Sequence, residues 1–333
     1  MEGCTILGAL SVTTGVKDAL SIVHGPNGCA HHNFSLLHAT LATDTDSRFP
    51  HIVSTHLSED DIIFGGEEAL ERAIREGLER DVGGIFILNT CIVDTIGDDT
   101  AAVCRKSWRV PVIYLPTAGF LGGGFSRGML NALQTLAIHA KPREKVPRAV
   151  SLIGEKNLEY EVEENYTEIS RLLESLGLHV YLRFVRDITI ADLTEISRSG
   201  LNILREPELM PLGDLLRQRY GTPFVDRFPR GFIGTLTFLQ DVARTLGIPC
   251  EDAVAYEMEH QTRVLAKFQD LEGIAVHLGR DTSNSFLREM VDLLGMFERN
   301  DGIHLPIPIP EPVGTGGVER LFHHWRRTIC ASL

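Results

Sequence analysis

The chain has 333 residues, of which 43% are hydrophobic and 23% charged, a composition typical of a folded protein and not of a disordered one. Its formal net charge of −13 argues against a nucleic-acid-binding protein, and its apolar runs are shorter than the roughly 20 residues of a membrane span. Six cysteines are too few for a disulfide framework in a chain of this length. Because the first cysteine stands at position 4, we expect no signal peptide, and we expect a cytoplasmic protein with reduced thiols.

In the first third of the chain, apolar runs alternate with helical patterns, which is typical of an α/β fold with parallel strands. The apolar run 19–23 leads into the turn HGPNGC, and residues 67–80 have helical spacing. Residues 84–88 and 110–115 are predicted strands, whereas residues 36–41 are too short to assign.

The same alternation continues after residues 141–147, which carry two prolines and four charges and are predicted to be a linker. The predicted elements that follow are strand 148–153, helix 161–176, strand 179–184, helix 191–198, helix 237–247, amphipathic segment 251–271, strand 273–278, helix 283–295 and a closing helix 318–330. Residues 304–318 carry four prolines and three glycines, so we predict irregular structure there. We therefore predict three domains, 1–146, 147–235 and 236–333.

Three cysteines of the first third each lie in a short turn that contains glycine: Cys4 in GCTILGA, Cys29 in HGPNGC and Cys91 in NTCIVDTIGDD. Glycines let the backbone approach closely and let N–H groups point at an anion such as sulfide. None of the three belongs to a Cys-x-x-Cys pair, so zinc is disfavoured. A single cysteine of this kind is usually a small buried hydrophobic residue, but three together favour an iron–sulfur cluster shared with a second chain.

These cysteine segments, together with THLSEDDIIFGGEEAL between the second and third, resemble the nitrogenase component 1 superfamily. The resemblance is dense over residues 3–124 and weaker in YGTP at 220–223, PRG at 229–231 and GTGG at 314–317. It implies an α/β fold of several Rossmann-like domains with parallel sheets flanked by helices. These domains would be shorter than those of the longer family members. Residues 1–146 would then be the cluster-binding domain.

The resemblance also implies how the three cysteines act. Cys4, Cys29 and Cys91 match the family's ligands of a cluster at the subunit interface, here expected to be a [4Fe–4S] cluster. Electrons would come from an ATP-dependent, nitrogenase-reductase-like iron–sulfur protein. The fourth ligand is open: it could come from a second copy of the chain, a water, the substrate, or one of His31, His32 and Asp94.

Within the superfamily, the short chain most resembles the CfbD group, which acts as a homodimer with a CfbC-like reductase in coenzyme F(430) biosynthesis of methanogens. This resemblance implies the reductive cyclisation of a nickel tetrapyrrole, Ni-sirohydrochlorin a,c-diamide. No convincing counterpart of the late cysteine and histidine that hold the iron–molybdenum cofactor is found, which disfavours dinitrogen reduction. Two alternatives stay open: a reductase of another tetrapyrrole or small molecule, and a scaffold for metallocluster assembly.

For several polar residues near the cysteines, the sequence allows both a functional role and a purely structural one. The acidic residues 59–61 either support a partner's docking or interact with the positive end of a helix dipole. Asp98 and Asp99 follow Gly97 at a predicted helix start, where an aspartate caps without any further role. His24 either forms hydrogen bonds near the cluster or fills the end of a strand.

Overall fold

The computed structural model describes residues 3–41, 51–117, 119, 123–156, 161–279, 285–308 and 311–332. The chain divides into two compact units. The first unit contains Met1–Tyr160 and Tyr181–Asp226, and the second contains Glu161–Val180 and Arg227–Leu333. Among the described residues, no helix combines the length and the apolar character needed to cross a membrane.

The first sheet confirms the predicted strands of the N-terminal third. Its strands, all parallel, are β1 (Ala19–His24), β2 (Ile52–Ser54), β3 (Gly84–Asn89) and β4 (Val112–Leu115), in the order β2-β1-β3-β4. Every residue of β1 and β3 is buried, as expected for central strands of a parallel sheet with both faces covered. The carboxyl ends of β1 and β3 are adjacent, since His24 pairs with Asn89.

Seven helices are described around this sheet: α1 (Thr5–Thr13), α2 (Asn27–Leu41), α3 (Glu59–Phe64), α4 (Glu67–Leu78), α5 (Cys91–Ile96), α6 (Thr100–Cys104) and α7 (Phe125–Ile138). The helix predicted at 67–80 is α4, and the unassigned residues 36–41 belong to α2. Helix α3 begins with a capping box, in which Ser58 and Asp61 satisfy each other's backbone N–H groups.

Helices α1 and α7 cross at very short distance because both carry glycine at the contact. A Cβ atom at Gly8 would lie 2.0 Å from the carbonyl oxygen of Phe125, and one at Gly128 would lie 1.9 Å from that of Thr5. Backbone therefore packs directly on backbone, which a larger residue at either position would prevent. This contact fixes the start of α1, where Cys4 lies.

The second sheet follows the predicted linker. Its strands are β5 (Ala149–Ile153), β6 (His179–Phe184), β7 (Leu201–Leu204) and β8 (Phe224–Val225), in the order β6-β5-β7-β8. Strands β5, β7 and β8 pair in parallel. Helices α8 (Val162–Ser175) and α9 (Met210–Tyr220) follow β5 and β7, and the helix predicted at 191–198 is a 3₁₀ helix over Asp192–Arg198.

The remaining elements lie in the second unit: helices α10 (Gly231–Leu246), α11 (Glu251–Ala266), α12 (Ser285–Leu293) and α13 (Gly314–Ser332), and strands β9 (Ala275–His277), β10 (Phe297–Glu298) and β11 (Ile303–His304). The strands form a parallel sheet in the order β10-β9-β11. The core contains Phe268, Phe322 and Trp325, all fully buried.

The prediction of irregular structure over 304–318 was wrong at its end, because α13 begins at Gly314. Gly314 adopts a φ of 66°, and the N–H group of Gly316 donates a hydrogen bond of 2.9 Å to a carboxylate oxygen of Glu168. The glycines start the helix because they leave room for this carboxylate: a Cβ atom at Gly314 would lie 2.4 Å from Glu168 Cγ.

Each predicted domain contains one sheet: the first lies within residues 1–146, the second within 147–235 and the third within 236–333. The compact units instead group residues 161–180 with the C-terminal part of the chain. The division into three domains stays a prediction.

Candidate functional site

Cys4, Cys29 and Cys91 all lie at or near the start of a helix. Cys4 is the N-cap of α1, Cys29 is the third residue of α2, and Cys91 is the first residue of α5. The backbone N–H groups of a first helical turn have no partner within the helix and favour anions, including thiolates. Turns at the carboxyl ends of β1 and β3 lead to Cys29 and Cys91, which is where α/β sheets usually bind ligands.

The structure brings the three thiols together. Burial raises the pKa of the Cys29 thiol, and the thiols of Cys4 and Cys91 raise it further, so each of them lies near Cys29. Asn33 of α2 links the thiol of Cys4 to the backbone of Cys29: its side-chain oxygen lies 3.8 Å from Cys4 Sγ, and its side-chain nitrogen donates a hydrogen bond of 2.7 Å to the carbonyl of Cys29. A Cβ atom at Gly119 would lie 3.9 Å from Cys91 Sγ.

The donor set is of the chemical type that binds iron–sulfur clusters. All six cysteines of the chain are free thiols, and Cys4 and Cys91 are exposed while Cys29 is half-buried. Within the described ranges, no three Cys, His, Asp or Glu side chains are close enough to hold one metal ion. Iron–sulfur clusters are held by cysteine thiolates, each bound to a different iron, and the three cysteines offer this type of donor. Iron would also remove the mutual repulsion of the three thiolates.

The raised pKa of Cys29 gives a test that needs no metal. In the iron-free protein, the rate of Cys29 alkylation by iodoacetamide should increase with pH as the thiol ionises. We expect this increase to occur at higher pH than for a cysteine in an unfolded peptide, whose pKa is about 8.5. Replacing both neighbours, as Cys4→Ala/Cys91→Ala, should move the profile towards lower pH. A profile that stays unchanged in this variant would contradict the proximity of the thiols.

The three candidates for a fourth ligand have different surroundings. Asp94 accepts a hydrogen bond of 2.8 Å from Asn89 at the end of β3, so its carboxylate supports the strand end. His31 and His32 are exposed on α2. His31 lines a cavity of about 310 Å³ together with Asn27, Phe34 and His56, among others. None of the three is assigned as a ligand.

His24 and Asp98, for which two interpretations were open, form a buried pair. The Nε2 atom of His24 lies 3.2 Å from Asp98 Oδ2, and its Nδ1 atom lies 3.0 Å from the hydroxyl of Thr55. Burial lowers the pKa of His24, and the charge of Asp98 opposes this without overcoming it. Of the two aspartates expected to cap a helix, only Asp99 does so, accepting from the N–H group of Ala102 at the start of α6.

An exposed apolar pair that the sequence analysis missed lies on α3. The side chains of Ile63 and Phe64 are 70% and 84% exposed. The acidic residues before them include Asp61, whose pKa is lowered by hydrogen bonds from Ser58 in the capping box. Capping therefore accounts for Asp61, while the exposed Glu59 and Asp60 surround the apolar pair with negative charge.

Comparisons with known proteins agree with this fold. A family model described as nitrogenase component 1 type oxidoreductase matches residues 4–296. The nitrogenase molybdenum-iron protein alpha chain of Methanothermococcus thermolithotrophicus is 28% identical over 317 residues, which are 88% of this chain and 65% of that protein. The nitrogenase iron-molybdenum cofactor biosynthesis protein NifE of Methanococcus maripaludis is 30% identical over 302 residues, 85% of this chain and 61% of that protein.

A solved structure, "Nitrogenase Cp1 at pH 5", superposes with a TM-score of 0.69 at 25% sequence identity, covering 89% of this chain and 63% of that one. The predicted α/β fold with parallel sheets flanked by helices is thereby confirmed. The chain spans about two thirds or less of the length of these three proteins. Since the family model covers most of the chain, from the first cysteine to beyond β9, the chain belongs to the nitrogenase component 1 family.

Proposed function

We propose that the chain is the cluster-bearing component of a nitrogenase-like, ATP-dependent reductase, with Cys4, Cys29 and Cys91 as ligands of a [4Fe–4S] cluster. The observation that carries this proposal is the proximity of the cysteines: Asn33 contacts both the thiol of Cys4 and the carbonyl of Cys29, and the position of Gly119 lies beside both Thr5, the neighbour of Cys4, and Cys91 Sγ. When bound, the cluster would accept and pass on single electrons.

The chain's own residues position and partly cover the three thiols. Asn33 holds the thiol of Cys4 and the backbone of Cys29. The hydroxyl of Thr5 donates to the carbonyl of Thr117, which ties the start of α1 to the segment after β4. Cys4 and Cys91 remain exposed on the surface of the single chain. A second copy of the chain would cover them, and we propose a homodimer that shares the cluster.

We further propose that the reductase docks on α3. This helix packs against α5, which begins with Cys91, so a protein bound to α3 would lie near the cluster. Large apolar side chains as exposed as Ile63 and Phe64 are typical of protein interfaces when they are clustered and surrounded by charge. The acidic residues Glu59 and Asp60 would select a partner with basic residues.

Phe64→Asp tests this docking surface. We expect the rate of electron transfer from a nitrogenase-reductase-like iron protein with ATP to fall at least about tenfold, because an aromatic anchor at an interface contributes about 2 kcal/mol or more. Iron content and thermal stability should not change, since the side chain is exposed. Ile138→Asp, at an exposed position on α7, is the control. Equal rates for the two variants would contradict docking on α3.

For the substrate, we propose Ni-sirohydrochlorin a,c-diamide, reduced by several electrons with closure of a ring, as the resemblance to the CfbD group implies. The lack of a convincing counterpart of the late cofactor-binding cysteine and histidine supports a substrate other than dinitrogen. A metallocluster assembly scaffold is the second candidate. It is favoured by the 30% identity to a NifE protein across 85% of this chain.

Anaerobic purification tests the proposal first. We expect about four irons and four sulfides per protomer or per dimer, and an S = 1/2 EPR signal after reduction with dithionite. Absence of iron after reconstitution would overturn it. The loaded protein is then mixed with a nitrogenase-reductase-like iron protein, ATP and Ni-sirohydrochlorin a,c-diamide. Turnover supports the cyclase, whereas delivery of a metallocluster to an apo-protein without turnover supports the scaffold.

A further inference from the structure

A buried histidine lies between the two turns that lead to Cys29 and Cys91. His24 is fully buried at the end of β1, within hydrogen-bond distance of Thr55 and Asp98. Asp98 also accepts from the N–H group of Gly66, at 3.1 and 3.0 Å to its two oxygens, so its carboxylate acts as the hydrogen-bond acceptor at this position. We therefore assign the proton of neutral His24 to Nε2, which leaves Nδ1 to accept from the hydroxyl of Thr55.

On one side, His24 contacts the cysteine turns, with its side chain by way of Thr55 and with its backbone carbonyl directly. The hydroxyl oxygen of Thr55 accepts a hydrogen bond of 2.9 Å from the N–H group of Gly25, at the beginning of the turn before α2. The N–H group of Thr90, which precedes Cys91, donates 2.9 Å to the carbonyl of His24. The two turns are in contact, since a Cβ atom at Gly25 would lie 2.1 Å from Thr90 Oγ1.

On the other side, the pair holds the start of α4. Gly66 is the N-cap of this helix and directly follows Gly65, which has a φ of 104° and ends α3. A Cβ atom at Gly66 would lie 2.7 Å from Asp98 Oδ2 and 3.0 Å from His24 Cε1. There is no free space between the helix start and the pair, so a displacement of one requires a displacement of the other.

We propose that His24 and Asp98 are positioning residues that couple the junction of α3 and α4 to the turns carrying Cys29 and Cys91. The geometry of the helix junction and that of the two cysteines then change together. The role in electron transfer rests on the proposed function, but the coupling itself is a property of the iron-free chain and is tested there.

The test is a double-mutant cycle on the iron-free, full-length protein, with the alkylation rate of each cysteine by iodoacetamide measured by mass spectrometry. Gly66→Ala pushes on the pair from the side of α4, and His24→Phe removes both side-chain hydrogen bonds of the histidine. We expect Gly66→Ala to change the Cys29 and Cys91 rates by at least about fivefold in the natural background and by less than about twofold in His24→Phe. Asp98→Asn keeps an acceptor for Gly66 and should have a smaller effect.

Cys104 and Cys250 are internal controls, because they lie outside the two turns, and a rise of their rates together with those of Cys29 and Cys91 would indicate general opening of the chain. If Gly66→Ala opens the whole protein, Asp98→Asn replaces it in the cycle with His24→Phe. Two results would overturn the proposal. In the first, the change in alkylation rate of the double variant equals the product of the changes in the two single variants. In the second, Gly66→Ala leaves the Cys29 and Cys91 rates unchanged. Because no iron, reductase or substrate is present, these outcomes are separate from success or failure of cluster binding.

Discussion

Cys91→Ala and Cys29→Ala are each expected to abolish cluster binding and activity. Cluster irons need thiolate ligands, and loss of one leaves an iron with a position open to water. Cys29 is the half-buried member of the set and interacts with both others, so its loss removes the central ligand. We expect iron content after anaerobic reconstitution to fall more than about tenfold, because even indirect ligand support is worth 10–100-fold in metal affinity.

Cys104→Ala is the matched control. This thiol is half-buried at the end of α6, and burial raises its pKa to about 12, so it is a poor ligand and a poor nucleophile. Its replacement should leave iron, sulfide and the EPR signal unchanged. Iron content, absorbance near 400 nm and thermal unfolding are measured together for all variants. Full iron content in Cys29→Ala or Cys91→Ala would contradict the assignment of these residues as ligands.

The three cysteines can be found from the sequence because each is marked locally. Residues 84–88 are predicted as the strand β3, which places Cys91 just after the end of a strand, and the apolar run 19–23 leads into the glycine-containing turn before Cys29. Neighbouring residues such as those of HGPNGC also carry the resemblance to the family. For Cys29 and Cys91, a short stretch of sequence therefore contains both the end of the strand and the proposed cluster ligand.

The residues that support the site are not marked in this way. His24 and Asp98 are 74 residues apart, and their pairing depends on the register of β1 against β3 together with the path of the chain after α5. Asp98 therefore resembles a helix cap in the sequence, like its neighbour Asp99. Phe64 is missed for the opposite reason: an apolar residue in a short segment is expected to be buried, and only the packing of α3 shows that it is not.

A second large effect is expected in the second unit, where Arg171→Met should lower the free energy of unfolding by about 3–5 kcal/mol. Arg171 of α8 lies between two buried carboxylates. Its guanidinium donates to both oxygens of Glu257 at 2.8 and 3.1 Å, and to both oxygens of Glu168 at 2.9 Å. Glu257 is only 1% exposed and also accepts from the hydroxyl of Thr315. Methionine would fill similar space and remove the guanidinium from both carboxylates, leaving His260, whose Nδ1 lies 3.8 Å from Glu257 Oε1, as a neighbour of Glu257.

Unfolding in urea, followed by the fluorescence of Trp325, measures this loss. The chain has two tryptophans, and Trp325 is fully buried in the core of the second unit. A Trp108→Phe background makes the signal specific for that unit. Arg244→Met is the control, since Arg244 pairs with Asp241 on the surface of α10 and should contribute less than about 1 kcal/mol. Equal losses in the two variants would contradict a stabilising role for the buried network.

The pH dependence separates charge from packing in this network. Burial on its own would raise the pKa of Glu168, but hydrogen bonds and charge from Arg171 and the N–H group of Gly316 outweigh it and hold the pKa below its ordinary value. The resulting stability is present above the unfolded pKa of about 4.3 and is lost as the pH falls through the lower folded pKa.

In Arg171→Met, Glu168 is buried without the guanidinium that lowers its pKa, so the pKa of Glu168 should rise and its protonation should relieve part of the defect. The difference in unfolding free energy between the natural chain and the variant is therefore expected to shrink as the pH falls from 7 towards 4. A difference that stays constant over this range would show that the arginine stabilises the unit through the packing of its aliphatic stem and not through its charge.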